Sequence, residues 1–440
     1  MSSAVWIAVL VLAVAMPQQA VPAGPVPQAQ AIITDLAAQK FAAVVAQFDT
    51  TMKTGMPEPK LAATWATVVA QLGALRRQGT PRSADRDGLR VVVIPAEFER
   101  GAADIHVVFD AAGLVAGLSI RPAVPSAGYT PPSYAKLDAF TEEDVTIGAG
   151  EWAVPGTLSM PVGAGPFAAI VLVHGSGPSD RDSSVSMNKP FRDLALGLAS
   201  RGVAVLRYEK RTRHHAARLG TLKTITVKDE TIDDALLAVA RLQLTQKIDP
   251  RRIVVLGHSL GGMLVPRIAA ADPRIAGFIV MAGAVRSLDQ SLIDQARYIA
   301  EADGTVTPDE QRRIDEFGQL QATVRALRPG PADEGRALLG APAAYWLDLR
   351  GYDPPVAARG VTAPMLILQG ERDYQVTMED FAKWKTALAS KTNATFRSYP
   401  PLNHLFLAGS GKSLPAEYSV PGHVAEDVIA DIVRWIGTIK

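Results

Sequence analysis

The chain has 440 residues, 48% of them hydrophobic and 20% charged, which is enough to bury a large core and to form two or three domains. Lys and Arg total 45 against 44 Asp and Glu, so no net field recruits nucleic acid or an anionic membrane, and "RYEKRTRHH" is the one local basic run. The absence of cysteine excludes disulfides, Cys-based zinc sites and a cysteine nucleophile, and the one adjacent pair of histidines, His214 and His215, cannot share a helix face to grip a metal.

The N-terminus carries a 13-residue apolar run, "AVWIAVLVLAVAM", followed by "PQQAVPAGPVPQAQA" with small-residue cleavage sites after Ala23 and Ala31. The run is short for a membrane span and has the form of a secretory signal, although no Lys or Arg precedes Lys40. A leader over residues 1–31 and an exported protein, periplasmic or secreted, are expected. No stable membrane span is.

Two helical patterns follow, "AIITDLAAQKFAAVVAQF" and "KLAATWATVVAQLGALRRQ", with apolar residues recurring at three and four. The β-branched runs "GLRVVVIPAEFE", "ADIHVVFD" and "LVAGLSIRP" then predict an antiparallel meander. A small α+β domain is expected over residues 32–122, with His106 as a structural histidine in a strand. A Pro-rich linker, residues 123–139, comes after it.

Beyond residue 140, "EDVTIG" and "GTLSMP" read as a hairpin, after which strands and helices alternate. The strands "FAAIVLVHG", "GVAVLRY", "RRIVVLGHS", "IAGFIVMAG" and "APMLILQG" are near-continuous apolar runs, as in parallel strands buried on both faces. A doubly wound, mostly parallel α/β sheet over residues 140–440 is therefore predicted. Ligands of such sheets bind beyond the carboxyl ends of the strands.

At one such end lies "VVLGHSLGGM", residues 254–263, which sets Ser259 between glycines. A strand that turns sharply into a helix through Gly-His-Ser-Leu-Gly needs small neighbours, and it aims the Leu260 N–H at the space above the serine, where an oxyanion develops. A serine nucleophile needs a histidine base, and the base needs a carboxylate to hold its tautomer. Asp373 follows the strand in "MLILQGERD", and His404 sits in "FRSYPPLNHLF" before the C-terminal helix. The order Ser259, Asp373, His404 is that of the α/β-hydrolase topology. Glu371, Asp348 and Asp353 are the competing carboxylates; His174 and His258 compete as the base but read as packing residues. Arg207, Lys210 and Arg211 stand at another strand end, where they either meet a substrate carboxylate or, the favoured reading, pin loops through Asp180 and Asp182.

The series "LVHGSGPSDRD", "RYEKR", "GHSLGG", "GERDYQV" and "LNHLF" resembles bacterial serine hydrolases of the α/β-hydrolase superfamily, closest to dienelactone-hydrolase-like and acyl-peptidase-like esterases. The resemblance covers residues 140–440, and the N-terminal domain resembles the small domain of unknown function that precedes such hydrolases in exported proteins. It assigns the second oxyanion N–H to Ser176, in the loop of Gly175 and Gly177. Dienelactone hydrolases proper have a cysteine where this chain has Ser259, which points away from lactones and toward ordinary esters. The resemblance implies a serine hydrolase that cleaves small carboxylic esters without cofactor or metal. Peptidase, thioesterase and acyltransferase activities on the same triad, or a non-catalytic binding protein that keeps the fold, are the alternatives.

Residues 287–362 exceed what a crossover needs and are expected to form a helical cap above Ser259. Tyr345, Trp346 and Tyr352, in "AAYWLDLRGYDPP", are candidates to line a modest pocket for short acyl groups, with Trp346 and Tyr352 singled out. Holding the cap to the sheet is the alternative role for each.

Overall fold

The computed structural model describes residues 24–86, 89–122, 129–330, 332–333 and 336–440. The expected signal run lies outside them. Contacts divide the chain into two compact units, Met1–Pro125 and Ser126–Lys440.

In the first unit the helix Pro25–Ala37 buries Ala29, Ile32, Ile33 and Leu36, an apolar stripe at helical spacing. The predicted boundary at residue 32 falls inside this helix, because its core-facing stripe begins at Ala29. The predicted continuous helix over 31–48 is broken at Gln39, whose φ is 58°, and resumes at Phe41–Ala46. The next helix, Glu58–Leu72, also stops short of its predicted end: Gly73 turns the backbone with φ 83°, and "LRRQ" becomes a strand instead. That strand, β1 (Leu75–Gln78), and β2 (Arg82–Arg86) both pair antiparallel with β3 (Leu89–Phe98). β3, β4 (Gly101–Phe109) and β5 (Val115–Pro122) form the predicted meander. Alternate residues Val92, Ile94 and Phe98 of β3 face Leu61 and Trp65 of the helices in one core.

The second unit is built on an eight-stranded sheet. Its strands are β6 (Phe140–Ile147), β7 (Val154–Pro161), β8 (Phe167–Val173), β9 (Val203–Tyr208), β10 (Ile248–His258), β11 (Gly277–Met281), β14 (Met365–Gly370) and β15 (Ala394–Tyr399), with β12 (Ala337–Leu338) and β13 (Ala341–Pro342) a separate small hairpin. The order is β15-β14-β11-β10-β8-β9-β7-β6. The six strands from β15 to β9 are parallel, and the hairpin β6–β7 closes one edge antiparallel. On β8, Ala169, Val171 and Val173 enter one core while Ala168, Ile170 and Leu172 enter the other, so burial on both faces explains the unbroken apolar run. Helices Asp233–Gln243, Leu260–Ala271 and Met378–Ala387 cover the first face; Pro190–Ala199 and Glu426–Ile436 cover the second.

Part of the predicted linker belongs to this unit. The Tyr129 hydroxyl donates to Asp193 at 2.6 Å and the Tyr134 hydroxyl to the Val424 carbonyl at 2.7 Å, so residues 129–139 are fastened to the sheet's helices. The cap region contains helices Leu288–Ala300, Pro308–Ala326, Ala343–Leu349 and Pro354–Ala358. It is tied down where Arg286 meets the buried carboxylate of Asp380 at 2.8 Å. Among the described residues no helix is long and apolar enough to cross a membrane.

Candidate active site

Because β8, β9, β10, β14 and β15 run parallel, their carboxyl ends present His174 to Ser176, Lys210, Ser259, Asp373 and His404 on one edge of the sheet. The junction of β10 with the helix Leu260–Ala271 is the tightest of these ends. Ser259 has φ 56° and ψ −117°, a conformation that side-chain-bearing residues rarely adopt, and its N–H is held by the Met281 carbonyl at 3.0 Å. A β-carbon on Gly257 would stand 2.2 Å from the Gly261 carbonyl oxygen, and one on Gly261 2.4 Å from that of Val173. Both positions need glycine because backbone passes where the side chain would be. Gly175 approaches from the other side: a β-carbon there would lie 3.1 Å from Ser259 Cβ and 3.6 Å from its Oγ.

Two backbone donors border Ser259. Leu260 is the first residue of its helix, where an N–H has no intrahelical partner, and neither its N–H nor that of Ser176 meets an acceptor among the described residues. Unpaired N–H groups beside a hydroxyl are what an oxyanion requires.

His404 Nδ1 lies 2.6 Å from Asp373 Oδ2, with both side chains buried. The remaining Asp373 lone pairs accept from the backbone N–H groups of Gln375 at 2.8 Å and Val376 at 3.0 Å, and from the Gln369 amide at 3.3 Å. A carboxylate held by so many donors fixes the imidazole with Nδ1–H toward it and leaves Nε2 free to take a proton. The competing acids are engaged elsewhere. Asp348 pairs with Arg267 at 3.1 Å, Asp353 caps the helix Pro354–Ala358 through the Val356 N–H, and Glu371 accepts from Ser398.

The two other histidines of this edge are donors to carbonyls. His258 Nε2 donates to the His404 carbonyl at 2.9 Å, with the rings 4.7 Å apart, so the elbow holds the His404 loop directly. His174 Nε2 donates to the Asp180 carbonyl at 3.0 Å, against Phe191 and Tyr208. Burial, with the adjacent His404 for His258 and Lys210 for His174, pulls both down to about 3. Both therefore stay neutral across the range in which a histidine base works.

The three cations of "RYEKR" are all paired. Arg207 meets Asp182 and Glu142, Arg211 forks onto Asp234, and Lys210 pairs with Glu230 at 2.9 Å. The favoured structural reading thus describes Arg207, while the Lys210 and Arg211 partners come from a helix on which sequence reading singled out nothing. The signal was present in "VKDETIDD", whose acids recur three and four apart.

A cavity of about 470 Å³ opens beside Ser176, lined also by Glu230, Leu288, Leu292, Tyr345 and Trp346. Trp346 lines this cavity and also packs against Val324 and Leu327 of the cap. Tyr352 does not line it: its hydroxyl donates to the Met263 carbonyl at 3.0 Å and its ring lies under Arg267, because the chain turns away at Gly351 toward the helix Leu260–Ala271. A larger hollow of about 1260 Å³ lies within the first unit, bordered by Gln28, Asp35, Arg90 and Asp110, and holds none of these groups.

Residues 170–418 match the alpha/beta hydrolase family, and residues 29–118 match a family described as a protein of unknown function, DUF3887. Esterase EstD of Thermotoga maritima is 36% identical over 404 residues, 92% of this chain and 93% of that protein. Among solved structures, Est1E from Butyrivibrio proteoclasticus is similar over 67% of this chain and 99% of its own at 17% identity and a TM-score of 0.42. An esterase of Pyrococcus furiosus covers 72% and 99% at 14% identity and a TM-score of 0.42. The chain belongs to the alpha/beta hydrolase family.

The neutral histidines give a direct test. In an NMR titration from about pH 8 to about pH 5, the ring signals of His174 and His258 stay fixed, since an unperturbed imidazole titrates near 6.5 and these do not. The sign for stability follows. Unfolded chains take up protons at these sites below 6.5 while the folded ones do not until about 3, so stability present at neutral pH is lost as pH falls through that window. A shift in either ring signal above pH 5 refutes the assignment.

Proposed function

We propose that this chain is an exported serine esterase that cleaves small carboxylic esters through an acyl-enzyme. The observation that carries the reading is the 2.6 Å pair of His404 with Asp373 on the strand edge that also bears the strained Ser259. Kinship with an esterase over most of both chains supports the ester as substrate.

In this mechanism Ser259 Oγ attacks the ester carbonyl while His404 Nε2 takes its proton. The imidazolium is stabilised by Asp373, and the negative oxygen is received by the N–H groups of Leu260 and Ser176. The ester C–O bond then breaks, and His404 returns the proton to the departing alcohol. Water repeats the sequence on the acyl group, with His404 again as base, and releases the acid.

Ser259→Ala is expected to lower kcat for p-nitrophenyl acetate by about 10³-fold or more with the fold retained, and to abolish labelling by a fluorophosphonate. Asp373→Asn lowers kcat by about 10²- to 10⁴-fold, whereas Asp353→Asn disturbs only a helix cap. An unlabelled wild-type protein makes the chain a binding protein; a silent Asp373→Asn removes that residue from the triad.

The cavity beside Ser176 is the acyl pocket in this reading, with Trp346 in its wall. Trp346→Ala is expected to shift kcat/KM toward octanoate relative to butyrate by about 10-fold, and Tyr352→Ala to change both alike. Equal changes in both variants dismiss Trp346 as the determinant.

Of the two cleavage sites, we infer that Ala23 is used. A cut after Ala31 removes Ala29 from the core and severs the helix Pro25–Ala37. N-terminal sequencing of the mature protein is expected to begin at Gly24, and a start at Ile32 overturns this.

A further inference from the structure

Lys210 is among the most deeply buried side chains of the protein, and a cation placed there must be compensated. Its Nζ pairs with Glu230 Oε1 at 2.9 Å and donates to the Gly175 carbonyl at 2.7 Å. Glu230 in turn accepts from the Tyr345 hydroxyl through Oε2 at 2.9 Å. Burial, then the charge of Glu230, pushes the Tyr345 phenol well above its usual range, so it remains a donor. One hydrogen-bonded chain therefore runs from the cap helix Ala343–Leu349 to a single peptide group on the loop after β8.

That peptide is the one joining Gly175 to Ser176. It is trans, so its C=O and N–H point to opposite sides of the same rigid plane. Fixing the carbonyl fixes the direction of the Ser176 N–H. The glycine that carries this plane runs so close to Ser259 that a β-carbon on it would lie 3.1 Å from Ser259 Cβ, and the Ser176 N–H has no acceptor among the described residues. Gly177, with φ 80°, follows at once, so the loop's own backbone does little to hold the plane.

We propose that Lys210 is a positioning residue for ester cleavage: by gripping the Gly175 carbonyl it aims the Ser176 N–H at the oxyanion and, as a cation on the carbonyl oxygen, polarises that amide into a stronger donor. Glu230 compensates the cation and holds it in place, and Tyr345 ties the arrangement to the cavity wall. Lys210 touches no substrate. This inference rests on the serine-esterase reading above.

The test uses the full chain with p-nitrophenyl acetate as substrate and an alkyl trifluoromethyl ketone, which forms a tetrahedral adduct, as inhibitor. K210M removes the grip but strands the Glu230 charge, so the K210M/E230Q pair is made as well to leave the site neutral. Fold is checked by near-UV circular dichroism, and active sites are counted with a fluorophosphonate. In the folded variants kcat is expected to fall about 10- to 100-fold, less than for outright loss of an oxyanion donor, with KM within about threefold. The inhibition constant of the ketone is expected to rise by the factor by which kcat/KM falls, because both report the oxyanion. A folded K210M/E230Q enzyme with wild-type kcat overturns the proposal, and so does a loss of kcat that leaves ketone affinity unchanged. A wild-type protein that neither turns over the ester nor takes the phosphonate defeats the esterase reading instead.

Discussion

The structure of the second unit depends on a close backbone crossing. The loop leaving β8 passes over the first turn of the helix Leu260–Ala271 so tightly that Gly261 has the Val173 carbonyl where a side chain would be. This crossing packs Gly175 against Ser259, so that the next residue of each segment, Ser176 and Leu260, each with an N–H unpaired among the described residues, come into one neighbourhood although 84 positions separate them in the sequence. It also forces Ser259 into its strained conformation. Strain of this kind, of order 1–3 kcal/mol, persists only when surrounding structure over-determines it. Here the determinants are the parallel ladders of β10 with β8 and β11 and the Met281 carbonyl that holds the Ser259 N–H.

A second constraint is electrostatic. Arg207, Lys210 and Arg211 cluster at the end of β9 within five residues, all buried; Arg207 meets Asp182 and Glu142, while Lys210 and Arg211 meet Glu230 and Asp234 on one helix. Buried ion pairs contribute little net stability compared with apolar packing, since desolvation offsets most of the attraction. Their value lies in uniqueness of geometry: removing one partner leaves an uncompensated buried charge, so alternative loop arrangements are costly. The loop of Asp182, the elements carrying Glu230 and Asp234, and β6 through Glu142 are thereby fixed to one strand end, which is where a site assembled from separate loops needs rigidity.

These two constraints explain how much of the molecule was legible in its sequence. The doubly wound sheet could be read because burial on both faces forces unbroken apolar runs, and the positions of Ser259 and Asp373 because each follows such a run, whereas His404 follows the half-polar edge strand β15 and was found from its place before the C-terminal helix. β1 and β2 escaped because "LRRQ" and "RSADR" are polar and join the sheet by pairing with β3 rather than by burying an apolar face. The helix breaks at Gln39 and Gly73 escaped because apolar spacing continues across them and only the backbone conformation differs. Tyr352 was placed in the pocket by its neighbours in the sequence, yet a turn at Gly351 directs it to Met263. For Glu230 the acidic spacing of "VKDETIDD" was visible, but its partners Lys210 and Tyr345 are distant in the sequence and nothing local names them.

The crowding of histidines at this edge has a physical resolution. His174, His258 and His404 are all buried at this edge, and three imidazoles free to protonate would repel one another. The fold separates them by what each ring nitrogen meets. His174 and His258 each donate to a backbone carbonyl, a bond that by itself favours the charged ring, but burial outweighs it and holds both neutral. His404, by contrast, has its Nδ1 on the buried Asp373 carboxylate. Since the His258 Nε2–H is spent on the His404 carbonyl, the residue beside Ser259 serves to seat the His404 loop, and of these three imidazoles it is His404 that a carboxylate orients.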